Sequence, residues 1–141
     1  MAATKLPGSP KIFFKHFEFR MSENAIQATA IDAVSCKVYA VRNNYYSDAA
    51  LLRLAPSQVD RKSPEIARGT WARVQATRNF VKKFLENSSE KVKIVVNCGA
   101  GFDTGYWWAQ DSGLLDDNVW FDIDMEAVVR KKIRTLRMPQ C

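Results

Sequence analysis

One histidine, His16, in 141 residues is too few for a histidine-based catalytic or metal-binding constellation. Cysteine is scarce too: Cys36, Cys98 and Cys141 are odd in number and lack metal-type spacing, so a disulfide framework is excluded in favour of reduced thiols. No apolar run approaches the ~20 residues of a membrane span. The N-terminus has no signal-type core, because Lys15 and His16 interrupt Ile12-Phe13-Phe14 at once. A cytoplasmic protein is the default expectation. Disorder is excluded by the balance of 47% hydrophobic and 26% charged residues, which is enough for one domain with a real core.

A net charge of +6 invites a nucleic-acid reading. The basic residues are scattered, however, and the clearest run, Arg130-Lys131-Lys132, falls on an expected amphipathic helix. A solvated helix face explains it more simply, and attraction to acidic partners stays open. The N-terminal arm interleaves Phe13, Phe14, Phe17 and Phe19 with Lys11, Lys15 and Arg20. Aromatics beside basic side chains can stack bases, and packing onto the domain accounts for them equally well. Met1 to Pro10 reads as a disordered leader.

The informative stretch is Lys91 to Ile123. Ile94-Val95-Val96 has the composition of a strand buried on both faces. Gly99-Ala100-Gly101 makes a turn, Tyr106 to Leu115 is long enough for a helix, and Val119 to Ile123 is a second apolar strand that runs into Asp124. Strand, Gly-x-Gly turn, helix, strand and acid is the layout of a nucleotide-binding βαβ unit. Gly99 and Gly101 can take backbone angles closed to other residues and let a ligand approach the main chain. The helix after them is expected to aim free N–H groups over the loop. Asp124 would accept hydrogen bonds from ribose hydroxyls, with Asp122 two residues earlier on the same strand face. The third glycine of the dinucleotide pattern is missing, and Asp103-Thr104-Gly105 stands in its place. That favours an adenosine ligand without a pyrophosphate.

Elsewhere, Asp32 to Asn43 reads as a helix capped by Asp32, with Ala33, Cys36, Ala40 and Val41 as its apolar stripe and Lys37 beside it. Ala49 to Leu54 is a short apolar segment stopped by Pro56. Ser63 caps and Pro64 begins the longest helix, with Glu65 favourable in its first turn. Gly69 is expected to break it, and Val74, Thr77, Val81, Phe84 and Leu85 continue the period to Asn87-Ser88-Ser89. Met125 to Leu136 is a last helix, its apolar side formed by Val128, Val129, Ile133 and Leu136. The chain then stops at Met138-Pro139-Gln140-Cys141.

Three blocks in order resemble the leucine carboxyl methyltransferase family. Asn97-Cys98-Gly99-Ala100-Gly101-Phe102-Asp103-Thr104 is similar to its motif Asn-x-Gly-Ala-Gly-x-Asp-Thr. Ser63-Pro64-Glu65-Ile66-Ala67-Arg68-Gly69-Thr70-Trp71-Ala72-Arg73-Val74 resembles Ala-Pro-Glu-Ile-Asn-Arg-Gly-Tyr-Phe-Ala-Arg-Val. Cys36-Lys37-Val38-Tyr39-Ala40-Val41 resembles Cys-Lys-x-Phe-Ala-Val. The likeness covers about Ile26 to Leu136, and departs where Met125-Glu126 replaces Phe-Pro and Thr70-Trp71 replaces Tyr-Phe.

The resemblance implies an α/β fold, the N-terminal part of a Rossmann-like S-adenosylmethionine-dependent methyltransferase with a helical segment before the first βαβ unit. The expected organisation is a flexible arm over 1–25, a helical cap segment over 26–90, and a first βαβ unit over 91–141. Two strands fall short of the sheet of about seven that such a methyltransferase needs. They would leave an open edge and uncovered apolar surface, so a fragment or short isoform of a longer enzyme is expected. The implied reaction is methylation of the C-terminal leucine carboxylate of type 2A protein phosphatase catalytic subunits, whose tail is the implied partner. By resemblance, Lys37 and Arg73 hold the methionine end of S-adenosylmethionine, Gly99 and Gly101 shape the loop, and Asp124 binds the ribose; Asp122, on the same strand face, is counted with the cofactor-binding residues. Two alternatives stay open: a tRNA wybutosine-synthesising methyltransferase, whose Gly-Ala-Gly-Phe-Asp wording is closer to Gly99–Asp103, and an inactive truncated form that acts only by binding.

Overall fold

A computed structural model of the chain describes residues 23–87 and 92–137. The aromatic–basic arm, His16, Ser88, Ser89 and Cys141 lie outside the described residues. Among the described residues, five helices and two strands follow one another: α1 (Glu23–Arg42), α2 (Ala49–Arg53), α3 (Pro64–Glu86), β1 (Ile94–Cys98), α4 (Gly105–Asp111), β2 (Val119–Ile123) and α5 (Glu126–Arg137). The strands pair in parallel, Ile94 opposite Val119 through Cys98 opposite Ile123, with α4 in the crossover between them. This is an α/β arrangement.

α1 starts well before Asp32, so Asp32 is an exposed mid-helix residue reached by Lys62 at 3.4 Å, not a cap. The buried stripe is correspondingly different: Val34, Val38 and Val41, spaced at helical intervals, with Ala40. Ala33 is exposed and Cys36 half-buried. With Leu51 of α2 the three valines form the core, and Tyr46, Ala55, Val59 and Phe102 close around it. The helix ends at Asn43-Asn44 as expected. Asn44 is at φ 60°, and the Tyr45 N–H reaches back to the Ala40 carbonyl at 3.0 Å.

Asp48 caps α2 by accepting from the Leu51 N–H at 2.9 Å. Ser63 caps α3 through the Ile66 N–H at 3.4 Å, and Pro64 fills the first turn, where its missing donor costs nothing. Gly69 does not break α3, which runs unbroken to Glu86. Glycine weakens a helix without stopping it when the flanking turns are well packed, and Ala67 and Thr70 are both buried. Of the apolar side expected for α3, Leu85 is buried, Val74 and Val81 are half-buried, and Thr77 and Phe84 are exposed.

α4 is shorter than expected and stops at Asp111. Gly113, at φ 68°, turns the chain so that the Leu114 N–H reaches the Ala109 carbonyl. On α5, Val128, Val129 and Leu136 are buried and Ile133 half-buried. Lys132 shares their face, one turn from both Val128 and Leu136. It is buried, not solvated, whereas Arg130 and Lys131 are exposed.

β1 corrects another expectation. Ile94 and Val96 are 55% and 50% exposed, so the strand is not buried on both faces. Among the described residues the sheet has two strands, and the face of β1 that carries Ile94 and Val96 is about half exposed.

Candidate functional site

β1 delivers the chain into the glycine loop, and the backbone there is the one the residue types require. Gly99 and Gly101 lie at φ 66° and 50°, in the left-handed region. The loop is stitched to the end of β2: the Gly99 and Ala100 N–H groups donate to the Ile123 carbonyl at 2.8 and 3.1 Å. The Gly101 N–H donates to Asp124 Oδ2 at 2.6 Å, while Asp124 Oδ1 accepts from the Met125 N–H at 2.7 Å, at the mouth of α5. The Gly105 N–H that opens α4 is held by Asp103 Oδ2 at 2.8 Å. The loop N–H groups are therefore committed within the protein, and of the first-turn donors of α4 expected to be free, the Gly105 N–H is taken by Asp103.

Asp122 points into the protein. Lys132 Nζ donates to its Oδ2 at 2.6 Å, and Trp120 Nε1 and Asn97 Nδ2 approach its Oδ1 at 2.8 and 3.2 Å. Lys132 also lies 5.3 Å over the Trp107 ring. An ion pair so enclosed ties α5 to β2, and losing one partner alone would leave an uncompensated buried charge.

A cleft of about 360 Å3 opens between α3, the loop and the start of α4. Lys37, Arg73, Asn97 and Thr104 are among its lining residues, with Val74, Val81 and Trp108 as apolar wall. The fold thus brings Lys37 and Arg73 together although 36 positions separate them (73 − 37). Gly99, Gly101, Asp122 and Asp124 belong to the adjoining loop and strand ends and are not part of the lining.

The cleft's charges are mostly paired. Lys37 Nζ contacts Asp103 Oδ1 at 2.6 Å. Burial alone would raise the Asp103 pKa. The charge and hydrogen bond of Lys37, the Gly105 N–H and the more distant Lys132 outweigh it and hold the carboxyl below its ordinary value. Arg78 contacts Asp48 at 2.8 Å and lies over the Tyr46 and Trp108 rings at 5.2 and 5.3 Å. The Thr104 hydroxyl donates to the same Asp48 oxygen at 2.6 Å. One carboxylate therefore joins α2, α3 and the entry to α4. Arg73, exposed in the cleft, has no ion-pair partner among the described residues. Asp48, Arg78 and Tyr46 were missed by sequence reasoning. Asp48 carried one legible signal, an N-cap residue before Ala49-Ala50-Leu51-Leu52.

Among the described residues no group of His, Cys, Asp or Glu is placed to hold a metal, and no helix is long and apolar enough to cross a membrane. Cys36 and Cys98 are free thiols.

The family model for leucine carboxyl methyltransferase matches residues 25–140. The chain belongs to that family. Leucine carboxyl methyltransferase 1 of Rattus norvegicus is 35% identical over 115 residues, covering 82% of this chain and 34% of the relative. Its Arabidopsis thaliana homolog is 32% identical over 120 residues, 85% of this chain and 36% of that one. A tRNA wybutosine-synthesizing protein 4 from Aspergillus oryzae is 36% identical over 95 residues, 66% of this chain and 9% of that protein. The chain spans about a third of the length of the leucine carboxyl methyltransferases it matches.

Proposed function

We propose that this family member is the N-terminal part of a Rossmann-like, S-adenosylmethionine-dependent methyltransferase. Its acceptor is the C-terminal leucine carboxylate of a type 2A protein phosphatase catalytic subunit, and it works in the cytoplasm. The observation that carries this reading is the cleft itself, where Arg73, without an ion-pair partner among the described residues, lines the same space as Lys37, next to the glycine loop.

The donor set fits a nucleoside sulfonium better than a nucleotide. The loop N–H groups of Gly99, Ala100 and Gly101, which would cradle a phosphate, are already taken by Ile123 and Asp124. One cation without an ion-pair partner suits one carboxylate, and the cleft volume is in the range of about 300–1,000 Å3 typical of small-ligand sites. When bound, S-adenosylmethionine supplies a methyl group activated on sulfur. Arg73 offers paired donors to the ligand's carboxylate, and Lys37, steadied by Asp103, adds positive charge beside it. Asp124 keeps lone pairs for the ribose hydroxyls after accepting from the Gly101 and Met125 N–H groups. The apolar wall of Val74, Val81 and Trp108 excludes water. No general base is needed, because a peptide C-terminal carboxylate is ionised at neutral pH. In this reading Asp122 supports the cofactor site from behind.

Calorimetric titration of the 141-residue chain with S-adenosylmethionine tests the proposal. Micromolar binding that Asp124→Ala abolishes is the expected result, and absence of heat would sink it. A second reading keeps the fold and makes tRNA the substrate. The Aspergillus oryzae relative and the net charge of +6 favour it. Binding to tRNA that falls steeply with added salt would support it.

A further inference from the structure

Tyr46 sits in the wall of the cleft, and its hydroxyl is the one fully enclosed side-chain polar atom without a hydrogen-bond partner among the described residues. A buried hydroxyl left unpaired is costly, and such groups are rare in folded proteins. This one is also held in place. Its ring packs against the Val34–Val38–Val41–Leu51 core on one side, and Arg78, anchored on Asp48, lies over it on the other. The ring is thus held in place, with its hydroxyl unspent near Asp103 and the cleft.

From this we infer that Tyr46 is a ligand-binding residue: a small side-chain shift on binding uncovers its hydroxyl, which a polar atom of the amino-acid end of the nucleoside ligand then completes. The inference rests on the proposed cofactor reading. The charges around the cleft suit a zwitterionic head group: Arg73 has no ion-pair partner among the described residues, whereas Asp48 and Asp103 stand near the phenol. Burial, with the charge of Asp48, pushes the hydroxyl's pKa up against the opposing pull of Arg78, so the group keeps its proton. It can then donate to a carboxylate or accept from an ammonium, both of which the amino-acid end carries.

Tyr46→Phe separates this role from a structural one. Three quantities decide it: the thermal midpoint of the free chain, affinity for S-adenosylhomocysteine, and affinity for 5′-methylthioadenosine, which lacks the amino-acid end. The expected results are an unchanged or raised midpoint, about tenfold weaker binding of S-adenosylhomocysteine, and unchanged binding of 5′-methylthioadenosine. Equal weakening of both ligands would mean that the hydroxyl only shapes the cleft, and would overturn the inference. So would a lowered midpoint, which would reveal a partner in the free protein, or undiminished binding of S-adenosylhomocysteine. Wild-type chain that binds neither ligand would overturn the cofactor reading itself, and this inference with it.

Discussion

Asp103 stands one residue before the position a third glycine would take in a dinucleotide loop, and its carboxylate does three things there. It pairs with Lys37, holds the Gly105 N–H, and leaves Arg73 as the cleft's cation without an ion-pair partner among the described residues. Its pKa is depressed in the folded chain despite burial, which acts the other way. A carboxylate depressed on folding stabilises the protein above its unfolded pKa, and that contribution is lost as pH falls through the folded value. Asp103→Asn therefore lowers the melting temperature at neutral pH. The gap from wild type stays constant down to about pH 5 and closes as the pH falls through and below the ordinary carboxylate range. Parallel melts from pH 7 to pH 2 check this, and a gap that ignores pH would mean the charge of Asp103 contributes nothing. Sequence reading placed Asp103 in a familiar motif but assigned it no task, because its partner Lys37 lies 66 positions away.

The helices and the glycine loop show how local signals succeed and where they mislead. The Ser63-Pro64 start of α3 was legible because capping chemistry acts within one turn. Asp32 carried the same kind of signal falsely: it is an exposed helical residue whose neighbour in space is Lys62. Gly69 looked like a breaker, yet α3 passes through it, and a Cβ built there meets nothing within 4 Å. Gly69→Ala should thus stabilise the chain by about 0.5–1 kcal/mol, the ordinary helical penalty of glycine. A Cβ on Gly101 also meets nothing, but there φ is +50°. Gly101→Ala should cost about 1–2 kcal/mol through backbone strain alone. Urea denaturation of both variants checks the pair. Destabilisation by Gly69→Ala would mean that α3 is not continuous at that position.

At the scale of the whole molecule, periodicity and turn chemistry made the order of elements readable, and the glycine loop and Asp124 with it. The contacts that assemble the cleft were not readable, because Arg78 meets Asp48 across 30 positions and Thr104 meets Asp48 across 56. Burial of Lys132 escaped notice for the same reason: its partner Asp122 is on another element. What the sequence did raise was uncovered apolar surface, and it is there. Phe80 is 76% exposed on α3, Phe84 45%, and Ile94 and Val96 on β1 at least half. Single exposed apolar residues are ordinary, but several large ones in a small chain are a liability for self-association. Phe80 loses little burial when replaced, so Phe80→Ser should leave the melting temperature within a degree or two, by about 0.5 kcal/mol or less for a surface change. It should also reduce both the binding of an anilinonaphthalene sulfonate dye and light scattering at high concentration. If instead the variant melts several degrees lower with dye binding unchanged, Phe80 is covered by residues outside those described, and the apolar surface of α3 is already in use.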